Sequence, residues 1–164
     1  MAHVTLERWA PEHLALLSEA NTAEMTQYIG GPEPDDDIVR RHERYLRLNA
    51  EGGAWMYAIV ADGIPAGGIG FWPIDENGEA AYEAGWNVVP AWQGQGVARN
   101  ALLRLIGIAS SEAPARDRLF AYPSVQNAAS NALCRSVGFE DLGERDFPFR
   151  GVVLRTRVWA LALR

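Results

Sequence analysis

Lysine is absent. All 15 basic residues of this 164-residue chain are arginine, set against 21 acidic residues for a net charge of −6. No basic stripe gathers enough cations to neutralise a row of phosphates, which argues against nucleic acid as a partner. An amine substrate suits that balance better. The single cysteine, Cys134, excludes an intramolecular disulfide, and the three scattered histidines, His3, His13 and His42, lack metal-ligand spacing, so no metal is expected. Long apolar runs are missing as well, the longest being interrupted by Arg104 or by Asp62 and Gly63, well short of a membrane span. Met1 to Trp9 alternates like a strand and has neither the charged nor the apolar region of a signal peptide. With no repeat, linker or low-complexity tract, the expectation is one cytoplasmic domain over residues 1–164.

What is present is a regular alternation of elements. Val4 to Trp9 reads as a strand and Pro11 to Ala20 as a helix, with proline in the first turn where its missing N–H costs nothing. Gly30, Gly31 and Pro32 close that region, and Asp35 to Asp37 precede a second helix over Ile38 to Leu48, acids at its positive end. Ala54 to Ala61, Ile64 to Trp72 and Ala80 to Val89 read as three strands, joined by the hairpin signals Asp62-Gly63 and Asn77-Gly78. Val97, Ala101, Leu105 and Ile108 then recur at helical spacing. Arg118 to Tyr122 reads as a strand, Asn127 to Val137 as a helix closed by Gly138, and Phe139 to Leu163 as two strands around Pro148 to Gly151. The order β-αα-βββ-α-β-α-ββ describes an α/β (α+β) fold, a mixed sheet covered by helices.

The joint between Val88 and the helix after Gly96 carries the chemistry. A helix N-terminus presents unpaired N–H groups and partial positive charge, and Gly94 and Gly96 would let an anion approach the backbone. Each charge-assisted N–H contact contributes roughly 1.5 to 3 kcal/mol, so a few amides could hold a pyrophosphate without lysine. A dinucleotide fingerprint fails because Arg99 stands where its third glycine belongs, and a P-loop fails for want of lysine. Pro90 cannot donate to a ladder, so the preceding strand should splay there and leave Val88 and Val89 with free main-chain groups. An extended ligand with amides and an anionic end, such as coenzyme A, would fit that combination.

The run Gln93, Gly94, Gln95, Gly96, Val97, Ala98 resembles the Gln/Arg-x-x-Gly-x-Gly/Ala signature of the GNAT superfamily of N-acetyltransferases, with Val88, Pro90 and Trp92 as its customary approach. Further on, Asn127 to Phe139 is similar to the second motif of that family. Glu83 to Pro90 and the spacing of Asn127 and Ser130 look most like the branch that acetylates ribosomal proteins and other N-terminal amines. The resemblance implies a mostly antiparallel sheet of about 7 strands, splayed between the fourth and fifth, with helices on both faces. It implies acetyl-CoA as cosubstrate, its pyrophosphate held by backbone amides from Gln93 to Ala98 with Arg99 and Asn100 nearby. It further implies pantetheine paired with Val88 and Val89 and bonded by Asn127. The acceptor would be a small-molecule amine or a peptide or protein N-terminus, lying between the first helical region and the last hairpin, where Tyr28, Phe147 and Phe149 could supply aromatic walls. Monomer and homodimer both stay open.

Direct transfer needs a base, an acid and a donor for the carbonyl oxygen. The family's usual tyrosine acid position is occupied by Cys134. On a helix begun at Asn127, positions 127, 130 and 134 fall within a stripe of about 60° at ~100° per residue, so Asn127, Ser130 and Cys134 should face one ligand, with Ala129, Leu133 and Val137 as core. Ser130 is the candidate acid, unless it only satisfies the first helical turn. Cys134 either shares that role or fills the core. Glu83, on the strand leading to the splay point, is the candidate base, unless it is a sheet-surface carboxylate paired with arginine. Deprotonating a lysine-like amine at neutral pH costs about 5 kcal/mol against about 1 for an α-amine, which favours the latter. A coenzyme A-binding sensor without turnover, or a nucleotide-binding domain using the same loop, are the competing readings.

Overall fold

The computed structural model describes residues 1–112 and 114–164. Seven strands form one sheet: β1 (Val4–Arg8), β2 (Trp55–Ala61), β3 (Ile64–Glu76), β4 (Glu79–Val88), β5 (Arg118–Ala121), β6 (Glu140–Phe149) and β7 (Val152–Ala162). Their spatial order is β1-β2-β3-β4-β5-β7-β6, and β4 with β5 is the parallel pair among antiparallel neighbours. Four helices accompany them: α1 (Leu14–Ala20), α2 (Asp35–Glu51), α3 (Val97–Ser111) and α4 (Ala128–Ser136). Among the described residues no helix is long and apolar enough to cross a membrane.

The helices divide between the two faces of the sheet. α3 buries Val97, Ala101 and Leu105 of the expected repeat together with Leu102 and Ala109, Ile108 being only partly buried, against Ile59, Ile69, Phe71 and Tyr82 of the central strands. Cys134 of α4 and Trp159 of β7 belong to the same cluster. On the opposite face Leu16, Leu17 and Ile38 of α1 and α2 pack with Trp9, Met56 and Ala58. Asp35, Asp36 and Asp37 fill the first turn of α2, where the helix dipole favours them.

Tight turns set the register. Asp62-Gly63 and Asn77-Gly78 take positive φ at both central positions, 50° and 79°, then 51° and 88°, as the twist of a two-residue hairpin loop requires. Arg150-Gly151, joining β6 to β7, does the same at 49° and 77° without the usual Asn or Asp.

The split in the sheet arises differently from the sequence expectation. β4 and β5 pair only at Tyr82↔Leu119 and Glu83↔Phe120. β5 stops at Ala121 and the chain leaves through Pro123, so from Ala84 the β5-side edge of β4 is unpaired, well before Pro90, while its other edge stays paired with β3 to Val88. Pro90 instead ends the β3 pairing and starts a single 3-10 turn, Pro90–Trp92.

Candidate active site

Beyond that turn the backbone forms an open cradle of N–H groups at the start of α3. Gly94 at φ 72° and Gly96 at φ 75° are left-handed, and Gly96 is the N-cap of α3. A Cβ at either would touch nothing, so glycine is required by conformation rather than by room for a ligand. Between Gly94 and Arg99 the N–H groups form no hydrogen bond of normal geometry among the described residues, and the positive end of α3 lies behind them. Asn100 is different: its N–H reaches the Gly96 carbonyl and its side chain accepts from Arg104 at 3.0 Å. The Gln95 side chain bonds back to the Ala91 carbonyl at 3.0 Å, leaving only its main chain toward the cradle.

The cradle closes one end of a cleft of about 650 Å³ that continues along the unpaired edge of β4. The Val89 N–H bonds the Ala66 carbonyl of β3 at 2.9 Å, and its carbonyl accepts from Trp92 at 2.9 Å. Val89 therefore has no main-chain group free for a ligand, which corrects the expectation that it pairs with pantetheine. By antiparallel alternation the groups of Trp86 and Val88 point to the open side. The Gln93 side chain takes the Val88 carbonyl at 2.8 Å, which leaves the Val88 N–H and both Trp86 groups as the exposed edge.

α4 forms the far wall. Asn127 is its N-cap, accepting the Ser130 N–H on Oδ1 at 3.1 Å, so its side-chain NH₂ stays available to the cleft it lines. The Ser130 hydroxyl accepts from Trp86 Nε1 at 3.3 Å and keeps its own proton for donation. Ala129 and Leu133 line the cleft beside Ser130, whereas Cys134 is fully buried in the core, its thiol pushed up to about 12 by burial. Cys134 does not face the cleft. The cleft side of α4 is centred nearer Ala129 and Leu133 than the expected stripe, so Ser130 stands at its edge and Cys134, about 40° further round at ~100° per residue, falls on the core side. Asn131 fixes the wall instead, accepting from Trp159 Nε1 at 2.8 Å.

Glu83 stands at the last β4–β5 pair, on the face opposite Ser130, where the split begins. Among the described residues it forms no ion pair with arginine. Burial, partly opposed by its cross-strand neighbour Trp72, raises its carboxyl to about 7. Next to it lies a network with no local sequence signal. Arg145 of β6 grips Glu76 of β3 at 2.8 and 3.0 Å, and the Tyr122 hydroxyl donates to the same carboxylate at 2.6 Å. The Arg145 hydrogen bonds hold Glu76 below the usual carboxylate range despite its burial, so the two neighbouring carboxyls titrate apart.

The three proposed aromatic walls are dispersed. Tyr28 lines the cleft, together with Met25. Phe147 packs on Tyr122 at 5.2 Å, beside the Glu76 network, and Phe149 lies under Arg150 at 4.6 Å. Sequence reasoning placed the acceptor pocket at about Met25 to Gly31 and Asp146 to Gly151, treated Trp86 as packing, and did not single out Glu76, Tyr122 or Arg145. Among the described residues no group of His, Cys, Asp or Glu is arranged to hold a metal.

A splayed β4, an amide cradle at a helix start and a capped α4 together define an acyl-transferase architecture. Residues 3–140 match the acetyltransferase (GNAT) domain family, and the chain belongs to that family of acetyl-CoA-dependent acetyltransferases. Among solved structures it is similar to an acetyltransferase from Salmonella typhimurium that modifies the N-terminal serine of the 50S ribosomal subunit protein L7/L12. The two share 21% identity over 97% of this chain and 94% of that one, with a TM-score of 0.81. A ribosomal-protein-alanine N-acetyltransferase from Brucella melitensis shares 26% identity over 96% and 99%, with a TM-score of 0.78. The microcin C7 self-immunity acetyltransferase in complex with acetyl-CoA and AMP shares 21% over 97% and 92%, at 0.80. No protein of curated function matches the chain in sequence.

Proposed function

We propose that the chain transfers the acetyl group of acetyl-CoA directly to the α-amine of a peptide or protein. The observation that carries this reading is Glu83, a carboxyl raised to about 7 at the point where the sheet opens between its two faces. The cofactor supplies a thioester, whose carbonyl carbon is open to attack by a neutral amine. The amides from Gly94 to Arg99 hold its pyrophosphate, and Trp86, Val88 and Asn127 bond its amide chain. Glu83 takes the proton of the incoming ammonium. With an α-amine near 7.8 that transfer costs about 1 kcal/mol, whereas a lysine side chain near 10.4 costs about 5, so the base suits the first. The Val88 N–H is the main-chain donor toward the oxygen on which charge develops, and the Ser130 hydroxyl gives its proton to the departing sulfur while taking the second proton that the acylated nitrogen sheds, so it ends neutral. The structural likeness to enzymes named for N-terminal serine and alanine of ribosomal proteins favours the same acceptor class.

Thiol release from acetyl-CoA, followed with peptides, polyamines and small amines, tests the proposal. Acceptor-dependent release with free peptide N-termini is expected. Cofactor binding without release by any acceptor would instead identify a sensor.

A further inference from the structure

Immediately after Tyr28 the chain leaves the cleft and borders a second cavity of about 420 Å³, running from Ile29 through Pro34 along one of its sides. The other sides are the N-terminal half of α2 and the tip of the β6–β7 hairpin, where Gly30 lies against Val152. Four guanidinium groups, Arg40, Arg41, Arg44 and Arg150, face two carboxylates, Glu33 and Asp37. The cavity thus carries an excess of positive charge on a chain whose net charge is −6. Glu33 is shared by Arg41 and by Arg150, the latter at 3.1 Å, and Asp37 is taken by Arg40. Arg44 is exposed and forms no ion pair among the described residues.

Arg150 adds a second observation. It occupies a left-handed turn position at φ 49° that the equivalent turns give to Asp62 and Asn77, residues that tolerate it better. Its ring neighbour Phe149 and its partner Glu33 hold the guanidinium over the cavity, where burial lowers its pKa. An arginine kept at a backbone position that disfavours it, aimed into a pocket with surplus cations, marks an anion subsite.

We propose that this cavity binds acidic side chains of the acceptor peptide, downstream of the amine that enters the cleft. The inference rests on the peptide reading above and narrows it to N-termini followed by Asp or Glu. A volume at the small end of ligand pockets accommodates side chains rather than a lone ion, and guanidinium groups pair with carboxylates by two parallel hydrogen bonds.

The test measures binding and turnover separately. Anisotropy of Ala-Glu-Glu-Ala and Ala-Ala-Ala-Ala peptides, labelled at their C-termini, gives affinity for the full chain with acetyl-CoA present. The acidic peptide is expected to bind more tightly, and Arg44→Gln to weaken it about tenfold, the equivalent of one charge-assisted hydrogen bond, without affecting the neutral peptide. Arg47→Gln, an exposed arginine of α2 outside the cavity, is the control and is expected to change nothing. Equal affinity for the two peptides, or identical effects of the two variants, overturns the subsite. Tight, Arg44-dependent binding with no acetyl transfer would keep the subsite and remove the enzymatic reading.

Discussion

Trp86 Nε1 donates to Ser130 Oγ at 3.3 Å, tying the open edge of β4 to the first turn of α4 across the cleft. The bond orients a hydroxyl whose proton stays unused. Ser130→Ala is expected to lower kcat by about a hundredfold, the lower range for a positioned acid, while the affinity for acetyl-CoA changes little. Steady-state rates and calorimetric titration separate the two effects, and a variant with wild-type kcat would reduce Ser130 to a wall residue that holds Trp86.

Glu83 gives a pH dependence with a definite sign. Acetyl transfer should rise as pH increases through about 7, and Glu83→Gln should lose that limb together with most of the rate. Stability runs the other way. A carboxyl raised by folding favours the native state fully below its ordinary value of 4.5, and that contribution is lost as pH rises through about 7. Above neutrality the buried charge costs about 3 kcal/mol, so Glu83→Gln should melt at a higher temperature there while being inactive. Melting curves across this pH range check it; a variant less stable than wild type above neutrality would contradict the assignment.

Arg145 acts on Glu83 from a distance. Removing the guanidinium leaves Glu76 without its ion-pair partner and takes a positive charge from beside Glu83. Arg145→Met should therefore move the midpoint of the pH–rate profile upward, since losing a cation disfavours the ionised carboxyl. A profile that loses amplitude without shifting would indicate a packing role only.

At Gly96 the backbone is left-handed, so Gly96→Ala should cost about 1 to 2 kcal/mol of stability even though its methyl group meets nothing. Because the same residue aims the amides of the α3 start, acetyl-CoA affinity should fall about tenfold, the loss of one charge-assisted contact. Calorimetry on the folded variant decides the point.

Cys134 provides the contrast. Fully buried, with its thiol raised to about 12, it should resist alkylation in the native protein. Cys134→Ala should lower stability by about 1 to 2 kcal/mol through the cavity it leaves, with kcat unchanged. Loss of turnover in a folded Cys134→Ala protein would reinstate it in the reaction.

These contrasts trace what the amino-acid sequence makes legible. The element order followed from periodicity and from turn dipeptides whose backbone preferences are local, as Asp62-Gly63 and Asn77-Gly78 illustrate. The glycine loop and the helix start behind it were legible for the same reason, being contiguous. Side-chain direction on α4 was not, because which stripe of the helix meets the cleft is set by packing against distant strands: Ala129 and Leu133 line it, while Cys134 joins the core with Trp159. Val89 was misread because its N–H partner, Ala66, comes from another strand. Glu76 and Arg145, 69 residues apart, meet only through the sheet topology, so nothing local marks them. The arginine cavity depends likewise on a hairpin folding back onto α2.

The central claim, acetyl transfer to a peptide α-amine assisted by Glu83, is most directly tested by mass spectrometry of two peptide products formed from acetyl-CoA. One peptide carries a free N-terminus and no lysine; the other has a blocked N-terminus and one lysine. Acetylation of the first, rising with pH through about 7 and abolished by Glu83→Gln, is the expected result. Acetylation of the lysine peptide alone, or transfer that Glu83→Gln leaves intact, would contradict it.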